Sequence, residues 1–192
     1  MHVIRYFLNM VPYMAAALPV FLIARFFFRK GKFNIYHEIG LLFFVLYLVG
    51  LSSQTIIPKI QFGLQWLDIP ERDFSTVNLV PFMIFKDSFQ MWRETGSLRY
   101  FITNFLGNMV VFYPLGFFPA LLWPQINCSV KRAVILGLYA SCFVEFCQLF
   151  LNRGTDIDDV ILNTLGAVTG YGIFLLLRRF FPNITGRFAG KE

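Results

Sequence analysis

The chain has 192 residues, of which 57% are hydrophobic, 19% aromatic and 15% charged, with a formal net charge of +6. A soluble domain carries roughly 25% charged residues, so this composition argues against a soluble enzyme. It indicates an all-α membrane protein, a single transmembrane domain over 1–192 with no separate soluble part. The basic excess lacks an aromatic-interleaved polar surface, so no nucleic-acid partner is expected; in a membrane chain such charges orient the spans.

Five apolar stretches predict about five transmembrane helices, near 10–28, 37–57, 100–123, 133–151 and 160–177. Each approaches the ~20 residues that cross ~30 Å of hydrocarbon. The first holds Pro12 and Pro19 and ends in Arg25, Arg29, Lys30 and Lys32, not in a small-residue cleavage site, which gives a cleaved signal peptide only weak support. Trp66, Trp92, Trp123, Tyr100 and Tyr113 suit interfacial anchors.

The 58–99 segment is too long for a simple connector. Within it Asn78-Leu-Val-Pro81-Phe reads as a turn entering a helix. On that helix Phe82, Phe85, Phe89 and Trp92 share one face, with Lys86, Gln90 and Arg93 on another. Such a pattern suits an outer amphipathic helix in the interface plane, or a cap on the bundle. Cys128, Cys142 and Cys147 are odd in number and read as buried, inert thiols without a disulfide framework.

Basic residues set the orientation. One side carries Arg25, Arg29, Lys30, Lys32, Lys131, Arg132, Arg178, Arg179, Arg187 and Lys191. The other carries Arg5, Lys59, Arg72, Lys86, Arg93, Arg99 and Arg153. The richer side is expected to be cytoplasmic, which puts the N-terminus outside and the C-terminus inside the cell membrane.

Polar residues recur on three spans at helical spacing. Asn104 and Asn108 lie four apart on the third. Ser141, Glu145 and Gln148 follow on the fourth, and Asp159 and Asn163 on the fifth. Consecutive spans alternate direction, so these groups meet within roughly 4–13 Å of one membrane face, joined by Ser52, Ser53 and Gln54. The segment 153–163 adds Arg153, Asp156 and Asp158 at the same mouth. A carboxylate at a span centre costs roughly 2.5–3.5 kcal/mol to insert; Glu145 lies off-centre, where the cost is lower but still unfavourable, and this points to function. Asn and Gln also serve as interhelical glue, and Gly166-x-x-x-Gly170 is a close-packing motif. Thr155-x-x-Asp158 resembles a capping box.

In this order, Asn78-Leu-Val-Pro81-Phe, Asn104-x-x-Gly107-Asn108, Pro114-Leu-Gly116, Ser141-x-x-x-Glu145-x-x-Gln148 and Arg153-x-x-Asp156-x-Asp158-Asp159-x-x-x-Asn163-x-x-Gly166-x-x-x-Gly170 resemble the VanZ-like family over about 37–178. The resemblance implies a small cell-envelope membrane protein of Gram-positive bacteria. The family's namesake is linked to low-level teicoplanin (glycopeptide) resistance; the likeness carries no catalytic residues.

Three functions compete. In the first, a pocket of Asn104, Asn108, Glu145, Gln148, Arg153, Asp156, Asp158, Asp159 and Asn163 binds a membrane lipid or lipid-linked cell-wall precursor without catalysis or cofactor, lowering glycopeptide susceptibility. In the second, Glu145, Asp158 and Asp159 hold Mg²⁺ and act on a lipid phosphate. The third is a structural or accessory membrane subunit.

Overall fold

The computed structural model describes residues 2–28, 33–56, 77–151 and 154–190. Arg153, Trp66 and the orienting charges Arg29, Lys30, Lys32, Lys59, Arg72 and Lys191 lie outside them. Helix α1 (His2–Phe28) continues through Pro12 and Pro19. Prolines are tolerated inside membrane helices where the freed backbone groups find other partners. It packs on α2 (Ile35–Thr55), where Met10 and Met14 lie over Gly50. The Arg25 guanidinium clamps the Glu38 carboxylate with two hydrogen bonds, of 2.8 and 2.5 Å, across the α1–α2 turn. Asn34 caps α2 by accepting from the amides of Tyr36 and His37.

Strand β1 (Val77–Asn78) leads into α3 (Met83–Thr95). After it α4 (Arg99–Phe101) runs through a π turn, Ile102–Leu106, into α5 (Gly107–Leu122). Helix α6 (Pro124–Asn127) turns the chain into α7 (Val130–Leu149), capped by Ser129 Oγ on the Arg132 amide. Strand β2 (Thr155–Asp156) pairs in parallel with β1, Val77 opposite Thr155 and Asn78 opposite Asp156. Helices α8 (Ile157–Phe180) and α9 (Pro182–Phe188) follow.

Four helical segments are long and apolar enough to cross a membrane: Leu8–Phe28, Ile35–Thr55, Arg99–Leu122 and Ile157–Phe180. Helix α7 stands where the fourth of the five expected spans was placed. Its 20 residues give a length of about 30 Å, but Lys131, Arg132 and Glu145 make it less apolar than those four.

The core is the contact of α8 with α5 and α7. Gly166 lies against Met109 and Gly170 against Tyr113, so α5 and α8 run parallel. Gly137 lies against Thr164 and Ser141 against Asn163, so α7 runs antiparallel to α8. Without side chains in the way, the glycine faces bring backbone onto backbone, the small-residue mode of membrane helix packing. Phe112, Leu115, Leu122, Leu162 and Phe174 fill the rest, while Val110, Tyr139, Phe143, Phe146 and Leu176 face outward.

At the far end the C-terminal segment folds back. The Gly190 amide donates to the Leu122 carbonyl (3.0 Å), Asn34 Nδ2 to the Arg187 carbonyl (2.8 Å), and His37 Nδ1 bonds the Phe188 carbonyl (2.9 Å). The cysteines depart from expectation. All three are free, but Cys142 is exposed, and Cys128 and Cys147 are only half-buried. Ser141 and Glu145 occupy the inward face of α7, which turns Cys142 outward.

Candidate functional site

The site forms where the end of α7 meets the start of α8. Asp156 is the N-cap of α8, its extended backbone (φ −130°, ψ 126°) letting the carboxylate accept from the Asp158 amide at 2.9 Å. This corrects the capping box expected at Thr155: pairing with Val77 holds Thr155 in strand β2, and the cap falls one residue later. The same Asp156 carboxylate accepts from Asn78 Nδ2 (3.0 Å). Its amide donates to Glu145 Oε2 (3.1 Å). Glu145 is 5% exposed.

Asp158 turns the other way. It is 2% exposed, and its two oxygens accept the amides of Phe82 (2.5 Å) and Ile84 (2.8 Å). It thereby satisfies free N–H groups at the start of α3, where Phe82 sits in the left-handed region at φ 67°. Its oxygens are committed to holding α3.

The next residue, half-buried Asp159, accepts from Asn108 Nδ2, joining α8 to α5. Below that, Asn163 is 4% exposed and donates Nδ2 to Ser141 Oγ (2.9 Å), joining α8 to α7. Its Oδ1 and the Thr155 hydroxyl oxygen are buried with no hydrogen-bond partner among the described residues.

The structure therefore brings together Asn108, Glu145, Asp156, Asp159 and Asn163. Asn104 stays within its own helix, donating to the Tyr100 carbonyl (2.9 Å) across the π turn. Gln148 is half-buried, with no side-chain hydrogen bond among the described residues. Ser53 Oγ donates to the Gly50 carbonyl and Gln54 Nε2 to Ser53 Oγ, bonds internal to α2. Asn78 and the Phe82 and Ile84 amides are contributors that spacing did not reveal. The signal was the turn motif itself, in which Asn78 Oδ1 also accepts from the Val80 amide.

Among the described residues no three His, Cys, Asp or Glu groups gather where a metal could be held. With Asp158 engaged by two amides, the donor set Glu145, Asp158 and Asp159 does not fit Mg²⁺ as a shared cage. What the arrangement offers is a run of acceptors inside an apolar bundle.

Helix α3 buries Ile84 and Ser88 and leaves Phe82, Phe85, Phe89 and Trp92 between 46% and 62% exposed. The aromatic face thus looks away from the bundle except where Phe85 meets Phe101 and Phe105.

Membrane-length helices closing around a carboxylate and amide layer define an integral membrane protein with a polar site at one end of its core. The family model described as VanZ/LLP1 matches residues 44–178, and the chain belongs to that family. It is similar to "Protein VanZ" of Enterococcus faecium, 29% identical over 130 residues that cover 66% of this chain and 71% of that protein. No solved structure matches. All the site residues lie inside the matched span.

Proposed function

We propose that this protein crosses the cell membrane several times, N-terminus outside and C-terminus cytoplasmic. There it binds an envelope lipid or lipid-linked cell-wall precursor by its polar head, and so lowers susceptibility to teicoplanin-type glycopeptides. Membership of the VanZ/LLP1 family supports the resistance part of this reading. The observation that carries the binding part is the burial of Glu145 and Asn163 with acceptor capacity left over. Such groups in an apolar bundle are unfavourable unless something meets them.

Lipid mass spectrometry of the protein in native nanodiscs tests this. A specific lipid should co-purify with the wild type, survive EDTA, and be lost from Glu145→Gln and Asp159→Asn. Both variants should reach the membrane, since the amides insert more easily than the acids. Groups acting on one ligand lose function non-additively, so the double variant should be no more antibiotic-susceptible than either single one. Lipid turnover abolished by EDTA would replace binding with metal-dependent catalysis, and additive losses would break the site into unrelated parts.

Orientation has its own test. In a background with the three native cysteines replaced by serine, Lys86→Cys should react with an impermeant maleimide in intact cells and Arg179→Cys should not. The reverse pattern would invert the topology.

A further inference from the structure

We propose that the head group taken by this site carries a primary ammonium and is recognised through that cation; the inference rests on the lipid-binding reading above. Every donor that Glu145, Asp156 and Asp159 receive among the described residues is neutral: the Asp156 and Asp158 amides, Asn78 Nδ2 and Asn108 Nδ2. The ion pair among these residues is elsewhere, Arg25 with Glu38. Three carboxylates at one end of an apolar bundle therefore lack a counter-charge among them.

The second observation is independent of the acids. Asn163, 4% exposed, spends its Nδ2 on Ser141 and holds Oδ1 without a donor in the layer directly beneath them. Ser141 is one turn from Glu145 and Asn163 one turn from Asp159, so this acceptor lies between the same two helices. The Thr155 hydroxyl, at the rim, is likewise unmet.

The candidate tenants differ. A bare dication needs several oxygens gathered at once, and no such group forms among these residues. Water could fill the acceptor but would leave the charge. An ammonium brings three donors and one positive charge, and is served by one or two carboxylates plus a neutral oxygen. A phosphate brings more negative charge. The ammonium can come from an aminoethyl phospholipid head or from the lysine side chain of a lipid-linked peptide precursor.

The test uses the full-length protein in detergent, with native mass spectrometry counting retained lipid. Two matched pairs separate the sources: phosphatidylethanolamine against its N-acetylated form, and a lysine-containing lipid-linked precursor against its N-acetylated form. Phosphatidylglycerol serves as the anionic comparison. In at least one pair the free amine should be retained about tenfold better, the low end for hydrogen bonds to a charged group. Glu145→Gln should abolish that preference and the exposed Glu94→Gln should keep it, with Asp159→Asn replacing Glu145→Gln if the latter does not fold. Equal retention within both pairs, or stronger retention of phosphatidylglycerol, would overturn the ammonium while leaving lipid binding in place. Retention of none of the lipids would overturn both readings.

Discussion

Gly170→Ala is expected to weaken the fold strongly. A Cβ at this position would stand 1.8 Å from the Tyr113 carbonyl oxygen, 2.7 Å from its carbon and 3.0 Å from its Cα. The obstacle is backbone inside a helix, which cannot swing aside as a side chain would. Gly116 and Gly166 make the same approach, 1.8 Å to the Ala167 oxygen and 2.3 Å to the Met109 oxygen, so the whole α5–α8 seam is set at this distance. The hydrogen occupying each Cβ position points at a carbonyl, a weak attraction that the substitution also removes. Overpacking typically costs about 1–3 kcal/mol; with helix backbone as the obstacle, about 3 kcal/mol is expected. Gly172, two residues on, has nothing within 4 Å of its would-be Cβ. There alanine should stabilise by about 0.5–1 kcal/mol through backbone entropy. Thermal unfolding in detergent measures both. Equal melting temperatures for the two variants would show that the seam is not close-packed.

Asp158→Ala is expected to free α3 from the bundle while leaving α8 helical. The carboxylate is 2% exposed and accepts the Phe82 and Ile84 amides. A hydrogen bond to a charged group contributes about 1.5–3 kcal/mol, so losing two should cost about 3–6 kcal/mol. Part of that holds Phe82 at φ 67°, where a non-glycine residue is disfavoured by about 1–2 kcal/mol. Hydrogen exchange should show lost protection at Phe82 and Ile84 and retained protection through α8. Asp156→Ala removes an N-cap, at about 1 kcal/mol, and the bond from Asn78 Nδ2, at about 1.5–3 kcal/mol more, with α3 left in place by Asp158. Unchanged exchange at Phe82 and Ile84 in Asp158→Ala, with lipid retention lost, would move Asp158 from anchor to ligand contact.

This division of labour among neighbouring acids bears on what a sequence can disclose. The long helices were legible because lipid demands long apolar runs and Lys and Arg mark their ends. Alternating span direction and four-residue spacing put Asn108, Glu145, Asp159 and Asn163 near one membrane face, but which of them pair was not legible. Asp158 was legible as costly and as part of a capping box on its own helix, but not as the anchor of α3. Its partners are backbone amides, which leave no residue-type signature, on a segment more than 70 positions earlier. Asn104 was placed with Asn108 on the assumption of a regular helix. The π turn widens the winding there, and Asn104 spends its amide on Tyr100. The two-residue strands lie below the length at which alternation can be read.

The attachment of α3 to Asp158 has a consequence for the order of events during synthesis. The amides of Phe82 and Ile84 emerge 76 and 74 residues before the carboxylate that receives them. At roughly 5–20 residues per second, the segment spends about 4–15 s without its anchor. Strand β1 waits over the same interval for β2, and the glycine face of α5 waits for α8. The last long helix to be made is therefore the one that closes the assembly. Until it enters, the aromatic face of α3 has only the Phe85 contacts with Phe101 and Phe105 to hold it.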